Sequence, residues 1–127
     1  MLKAVIIDAN AVARGLLNSV LTEGGYSVVG QTHTTSQGYA LMQKFSPQLV
    51  CIALEQIEDG SNVVEQIRAH MPKVLVFMMT GSLDAATLQA SLARGVNGVI
   101  IKPFKADAVL KTIKTTVIEM IRKQQAG

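Results

Sequence analysis

The sequence predicts a doubly wound, three-layer α/β domain, and three observations carry that prediction. Five apolar runs of strand length recur along the chain, amphipathic helical stretches separate them, and 127 residues is the length of one domain rather than two. The runs are AVII at 4–7, YSVVG at 26–30, LVCIAL at 49–54, VLVFMM at 74–79 and GVII at 98–101. They are continuous rather than alternating, as expected of strands buried on both faces of a parallel sheet. Strand–helix units of this length impose right-handed crossovers and place helices on both sides of the sheet.

Each helix has its own signals. The first is capped by Asn10 and carries Ala13, Leu16, Leu17, Val20 and Leu21 on one face. Gly24-Gly25 supplies its left-handed stop. The stretch Thr32-His33-Thr34-Thr35-Ser36 reads as a turn and cap for a second helix over 36–45, ended before Pro47. A third covers 62–70, capped or preceded by Glu58 and Asp59 and stopped before Pro72. The fourth spans 84–94 and closes at Gly95. The last follows Pro103, with Val109, Leu110, Ile113, Val117 and Met120 as its inward stripe and Asp107 at its positive end.

Composition narrows the function classes. Hydrophobic residues make up 49% of the chain, charged residues 17%, and the mean hydropathy is +0.32, which excludes an intrinsically disordered chain. The single cysteine, Cys51, permits no internal disulfide, and its apolar strand makes it a core residue. No run approaches the roughly 18 apolar residues of a membrane span, and the apolar stretch before Asp8 is too short for a signal peptide. His33 and His70 have no ligands at metal spacing. The expectation is a cytoplasmic protein with no membrane partner, a single domain over 1–127 and no output domain. Residues 1–93 carry five Lys/Arg and seven Asp/Glu (−2), residues 94–127 seven and two (+5), giving the overall +3. The basic character therefore belongs to the C-terminal quarter.

In doubly wound sheets the functional crevice lies at the carboxyl ends of the strands. After the first strand comes Asp8-Ala9-Asn10, without the glycine-rich turn that a dinucleotide pyrophosphate needs, so no such cofactor is expected. Several pieces in order carry a resemblance: Val5-Ile6-Ile7-Asp8; Pro47 followed six residues later by Ala53; Asp59-Gly60; Val76 to Gly81 with Asp84 behind it; and Gly95 through Lys102-Pro103-Phe104. Together they resemble response-regulator receiver domains from Lys3 to about Arg122. The resemblance implies a flavodoxin-like fold with five helices, strand order 2-1-3-4-5, and a role in bacterial two-component signalling.

In that family two acids after the first strand and an aspartate ending the third hold Mg²⁺, and the latter accepts a phosphoryl group from a histidine kinase. A hydroxyl after the fourth strand and a lysine after the fifth bind the phosphoryl oxygens. Matched position by position, Asp8, Thr80 and Lys102 are kept. Ala9 replaces the second acid, Ala53 stands at the acceptor position, and Val99 takes the place of the switch aromatic. The loop from Ala53 to Asp59 is one residue short and lacks its usual proline. A register slip would offer only Ile52 or Leu54, and Glu55 is the nearest acid. The pocket is thus expected to be degenerate, with Asp8 paired to Lys102, no catalytic residue, no cofactor and no metal beyond what Asp8 alone could hold.

The resemblance also implies a signalling-protein partner on the face of the fourth helix, fifth strand and fifth helix. Here that face comprises Gln89, Ala93, Arg94, Val99, Lys105, Ala108, Lys111, Lys114 and Thr115. Self-association is left open. The rival reading is nucleic-acid binding through the basic C-terminal helix, against which stands the scarcity of aromatics there, Phe104 alone.

Overall fold

Every one of the five apolar runs forms a parallel strand, because each is flanked by sequence that folds back as a helix. The computed structural model describes residues 1–126. In chain order the elements are β1 (Lys3–Ile7), α1 (Ala11–Glu23), β2 (Ser27–Thr32), α2 (Thr35–Phe45), β3 (Leu49–Ala53), α3 (Leu54–Ile57), α4 (Val63–His70), β4 (Leu75–Thr80), α5 (Ala85–Arg94), β5 (Gly98–Ile101) and α6 (Ala106–Ala126). The sheet order is β2-β1-β3-β4-β5, the doubly wound arrangement expected from the sequence.

Register sets up the crevice. Ile7 lies beside Ile52, Ala53 beside Met79, and Thr80 beside Ile101, so the residues that follow each strand gather along one end of the sheet. Side chains alternate between two apolar layers. Ile6, Cys51, Ala53, Phe77, Met79 and Ile100 pack against Leu17 and Leu21 of α1 and Val109 and Ile113 of α6. Val5, Ile7, Val50, Ile52, Val76 and Met78 pack against Met42 of α2, Ile57 of α3, and Val64 and Ile67 of α4. Each fully buried Leu or Ile contributes about 1.5–3 kcal/mol of transfer free energy. Gly38 of α2 is needed for close approach, since a side chain there would run into Ile7.

Helix ends follow the capping chemistry read from the sequence. Asn10, Thr34 and Asp84 each accept a hydrogen bond from a backbone N–H in the first turn of α1, α2 and α5. Gly95 closes α5 in the left-handed region at φ 116°.

Four expectations need correction. There are six helices among the described residues, not five: the chain leaves β3 straight into the short α3, and Leu54 is helical rather than the last strand residue. Glu58 therefore caps the end of α3, while Asp59 precedes α4 and accepts hydrogen bonds from Thr35 Oγ1 and Ser61 N. β2 starts at Ser27 and runs on to Thr32, because Gln31 and Thr32 keep pairing with β1 although their side chains are polar. Leu16 is 55% exposed. The buried stripe of α1 is Ala13, Leu17 and Leu21, spaced four residues apart; Leu16, one residue off it, lines a shallow groove with Val12, Pro103 and Phe104.

Candidate functional site

The carboxyl ends of β1, β3, β4 and β5 bring Asp8, Ala53, Thr80 and Lys102 to one crevice. Lys102 is steered there by its own backbone: its N–H donates to Thr80 O at 2.8 Å, extending the β4–β5 ladder by one residue. Its Nζ then donates to Asp8 Oδ2 at 2.8 Å. The Asp8 side chain is only 3% exposed and that of Lys102 24%. At the effective dielectric of such a site the two charges attract by several kcal/mol, offset in part by their desolvation. The second carboxylate oxygen is also occupied, since Oδ1 accepts from Asn10 N at 2.9 Å. The backbone carbonyl of Asp8 accepts from the Arg14 guanidinium at 2.7 Å.

Ala53 ends β3, buried, with its methyl in the layer of α1 and α6. It carries no atom able to attack phosphorus. Thr80 is buried and turned to its own loop, with Oγ1 donating to Ser82 O at 2.7 Å. Ala9 is exposed, and its N–H is held by Gln56 Oε1 at 3.0 Å. Glu55 stands exposed on the first turn of α3, whereas Asp8 is buried. Cys51 is fully buried, and burial pushes its thiol up to about 12, so it stays a protonated core group.

These donors do not fit a divalent cation. Mg²⁺ demands near-octahedral oxygen ligation, but both Asp8 oxygens are already hydrogen-bonded and residues 9 and 53 bring methyl groups. Among the described residues no three His, Cys, Asp or Glu side chains lie together.

The second candidate region is the face of α5, β5 and α6. A groove of about 410 Å³ runs between β5 and α6, lined by Val99, Ile101, Pro103, Lys105, Ala108 and Thr112 among others. Ile101 is 48% exposed on the edge strand. Gln89 and Ala93 are exposed on α5, and Lys111 and Thr115 on α6.

Two members of the expected face belong elsewhere. Arg94 turns toward α3 and α4, donating to Ile57 O and pairing with Glu65, each at 3.3 Å. Lys114 lies one helical turn beyond Leu110, which abuts Gly24 at the end of α1, so it projects on the far side of α6 from the groove.

Sequence reasoning missed Gln56 and Arg14. Both act on loop backbone, through partners that only the folded chain brings near, and neither sits in a motif or an apolar period.

A five-stranded doubly wound sheet with an acid after β1, a hydroxyl at the end of β4 and a lysine after β5 is the arrangement of a receiver domain. The chain belongs to the response regulator receiver domain family, whose model matches residues 4–114. It is 25% identical over 116 residues to the chemotaxis protein CheY of Bacillus subtilis (strain 168), covering 91% of this chain and 97% of that one. It is 30% identical over 102 residues to the probable C4-dicarboxylate response regulator DctR of Halalkalibacterium halodurans, covering 80% of this chain and 44% of that one. A CheY-like response regulator receiver domain protein from Methanospirillum hungatei JF-1 has the same fold, with a TM-score of 0.83 at 21% identity over 97% of this chain and 98% of that one. Receiver domains are signalling domains of two-component systems and act by contacting other signalling proteins. Among the described residues no helix is long and apolar enough to cross a membrane.

Proposed function

We propose that this chain is a pseudo-receiver: a signalling domain that works without phosphorylation, binding its partner through the α5–β5–α6 face. The observation that carries this reading is Ala53 at the tip of β3, beside an Asp8 whose two oxygens are already bound to Lys102 and Asn10. An acceptor carboxylate would have to stand where the methyl does, and the lysine meant for a phosphoryl oxygen is committed to Asp8. A partner therefore binds the conformation the domain already holds, with no phosphoryl group to shift a population.

The face suggests the partner's chemistry. An apolar groove lined by Val99, Ile101, Ala108 and Val109, with Lys105 beside them, suits a protein segment that offers apolar side chains flanked by an acid. Incubation with ³²P-acetyl phosphate and Mg²⁺ tests the reading. No protein-bound label is expected; an acid-stable, base-labile label, the mark of an acyl phosphate, would overturn it.

A further inference from the structure

The Gln56 side chain is 8% exposed on α3, a helix of one turn, and both ends of its carboxamide are used. Oε1 accepts from Ala9 N in the β1–α1 loop at 3.0 Å, and Nε2 donates to His33 O in the β2–α2 loop at 2.9 Å. One side chain thus joins two loops to α3 at the carboxyl end of the sheet. The next residue, Ile57, offers its carbonyl to Arg94 of α5 at 3.3 Å. That bond matters because α5 is weakly anchored: its one fully buried side chain is Ser91, whose hydroxyl reaches Met78 Sδ and Thr87 O.

We propose that Gln56 is a positioning residue that cross-links the crevice loops and, through α3 and the Ile57–Arg94 bond, fixes α5 on the interaction face. The cross-link is permanent, because a carboxamide neither titrates nor leaves. The cross-link itself needs no partner, but its use in signalling rests on the phosphorylation-independent reading. A fixed α5 presents one binding surface and removes the cost of populating a competent state.

Three structural features make the claim specific. Gln56 touches both neighbouring loops by hydrogen bonds rather than by packing alone, so a side chain of similar shape without polar ends separates the two contributions. Arg94 acts downstream, so its loss loosens α5 without loosening Ala9. Finally, α6 is held by Val109 and Ile113 in the other apolar layer and serves as an internal reference.

The test is amide hydrogen exchange on the full chain, without phosphodonor, in wild type, Gln56→Met and Arg94→Gln. Gln56→Met should speed exchange at the Ala9 amide by roughly tenfold, the factor of one ordinary net hydrogen bond. It should also speed exchange at the Leu88–Leu92 amides of α5 by several-fold, with α6 unchanged. Arg94→Gln should speed α5 alone. Should Gln56→Met fail to fold, Gln56→Glu reads half of the cross-link. Its carboxylate still accepts from Ala9 N but cannot donate to His33 O, and α5 exchange should rise with Ala9 still protected. Unchanged α5 exchange in whichever Gln56 variant folds overturns the proposal. These outcomes are independent of the phosphoryl label: a label with α5 loosened sinks only the functional reading, and no label with α5 unchanged sinks only this one.

Discussion

Asp8 and Lys102 are a nearly buried pair whose two charges depend on each other. Removing the ammonium leaves a carboxylate that is 3% exposed with only the Asn10 N–H to hold it. Lys102→Met is therefore expected to destabilise the domain by about 3 kcal/mol, as is usual when one partner of a buried pair is lost. The double variant Asp8→Asn/Lys102→Met should cost less than the two single changes together, with a coupling of about 1–3 kcal/mol from denaturant melts. Additive costs would show that the pair is an accident of proximity. At this scale the sequence was informative where a strand end fixes a residue: Asp8, Thr80 and Lys102 each follow an apolar run, Ala53 ends β3, and the sheet brings them together. Gln56 was invisible, because its partners are a backbone N–H and a carbonyl 47 and 23 residues away.

Among the elements, α5 buries only Ser91 and begins at a side-chain cap. Asp84 accepts from Thr87 N at 2.7 Å, and this hydrogen bond, reinforced at the Thr87 side chain, holds its carboxyl below the usual carboxylate range. A carboxyl depressed in the folded state stabilises above its unfolded pKa, about 3.9, and that contribution disappears as pH falls through the lower folded value. Asp59 has the same direction: burial opposes the shift, but hydrogen bonds from Ser61 and Thr35 outweigh it. Thermal melts from about pH 6 to pH 2 should show a fall below about pH 4, and Asp84→Asn, which still caps, should lessen it. An unchanged profile in Asp84→Asn would mean that the cap contributes nothing to the acid limb. Helices with a cap and a stop were legible to within a residue or two: Asn10, Thr34, Asp84 and Gly95 all stand where local chemistry puts them. The short α3 was not, since it has no side-chain cap and its leucine continues the apolar run of β3.

For the molecule as a whole, the parallel, doubly wound character of the sheet was legible because continuous apolar runs leave few ways to be buried, and crossover handedness removes most of those; the strand order came from the family resemblance. The groove between β5 and α6 was legible only in part. Val99, Lys105 and Ala108 line the groove, but Arg94 is drawn to Ile57 and Glu65, and Lys114 sits behind α6. Helical spacing tells which residues share a side, not which neighbour claims a long side chain.

A crevice already satisfied and an α5–β5–α6 face already set leave nothing for Mg²⁺ or a phosphodonor to move. The most direct measurement is a pair of ¹H–¹⁵N correlation spectra, with and without Mg²⁺ and acetyl phosphate at millimolar concentration. The account predicts superimposable spectra, with the amides of Asp8, Thr80 and Lys102 and those along α5, β5 and α6 unmoved. Saturable shifts at the crevice that spread to Ile101 and Leu92 would contradict it.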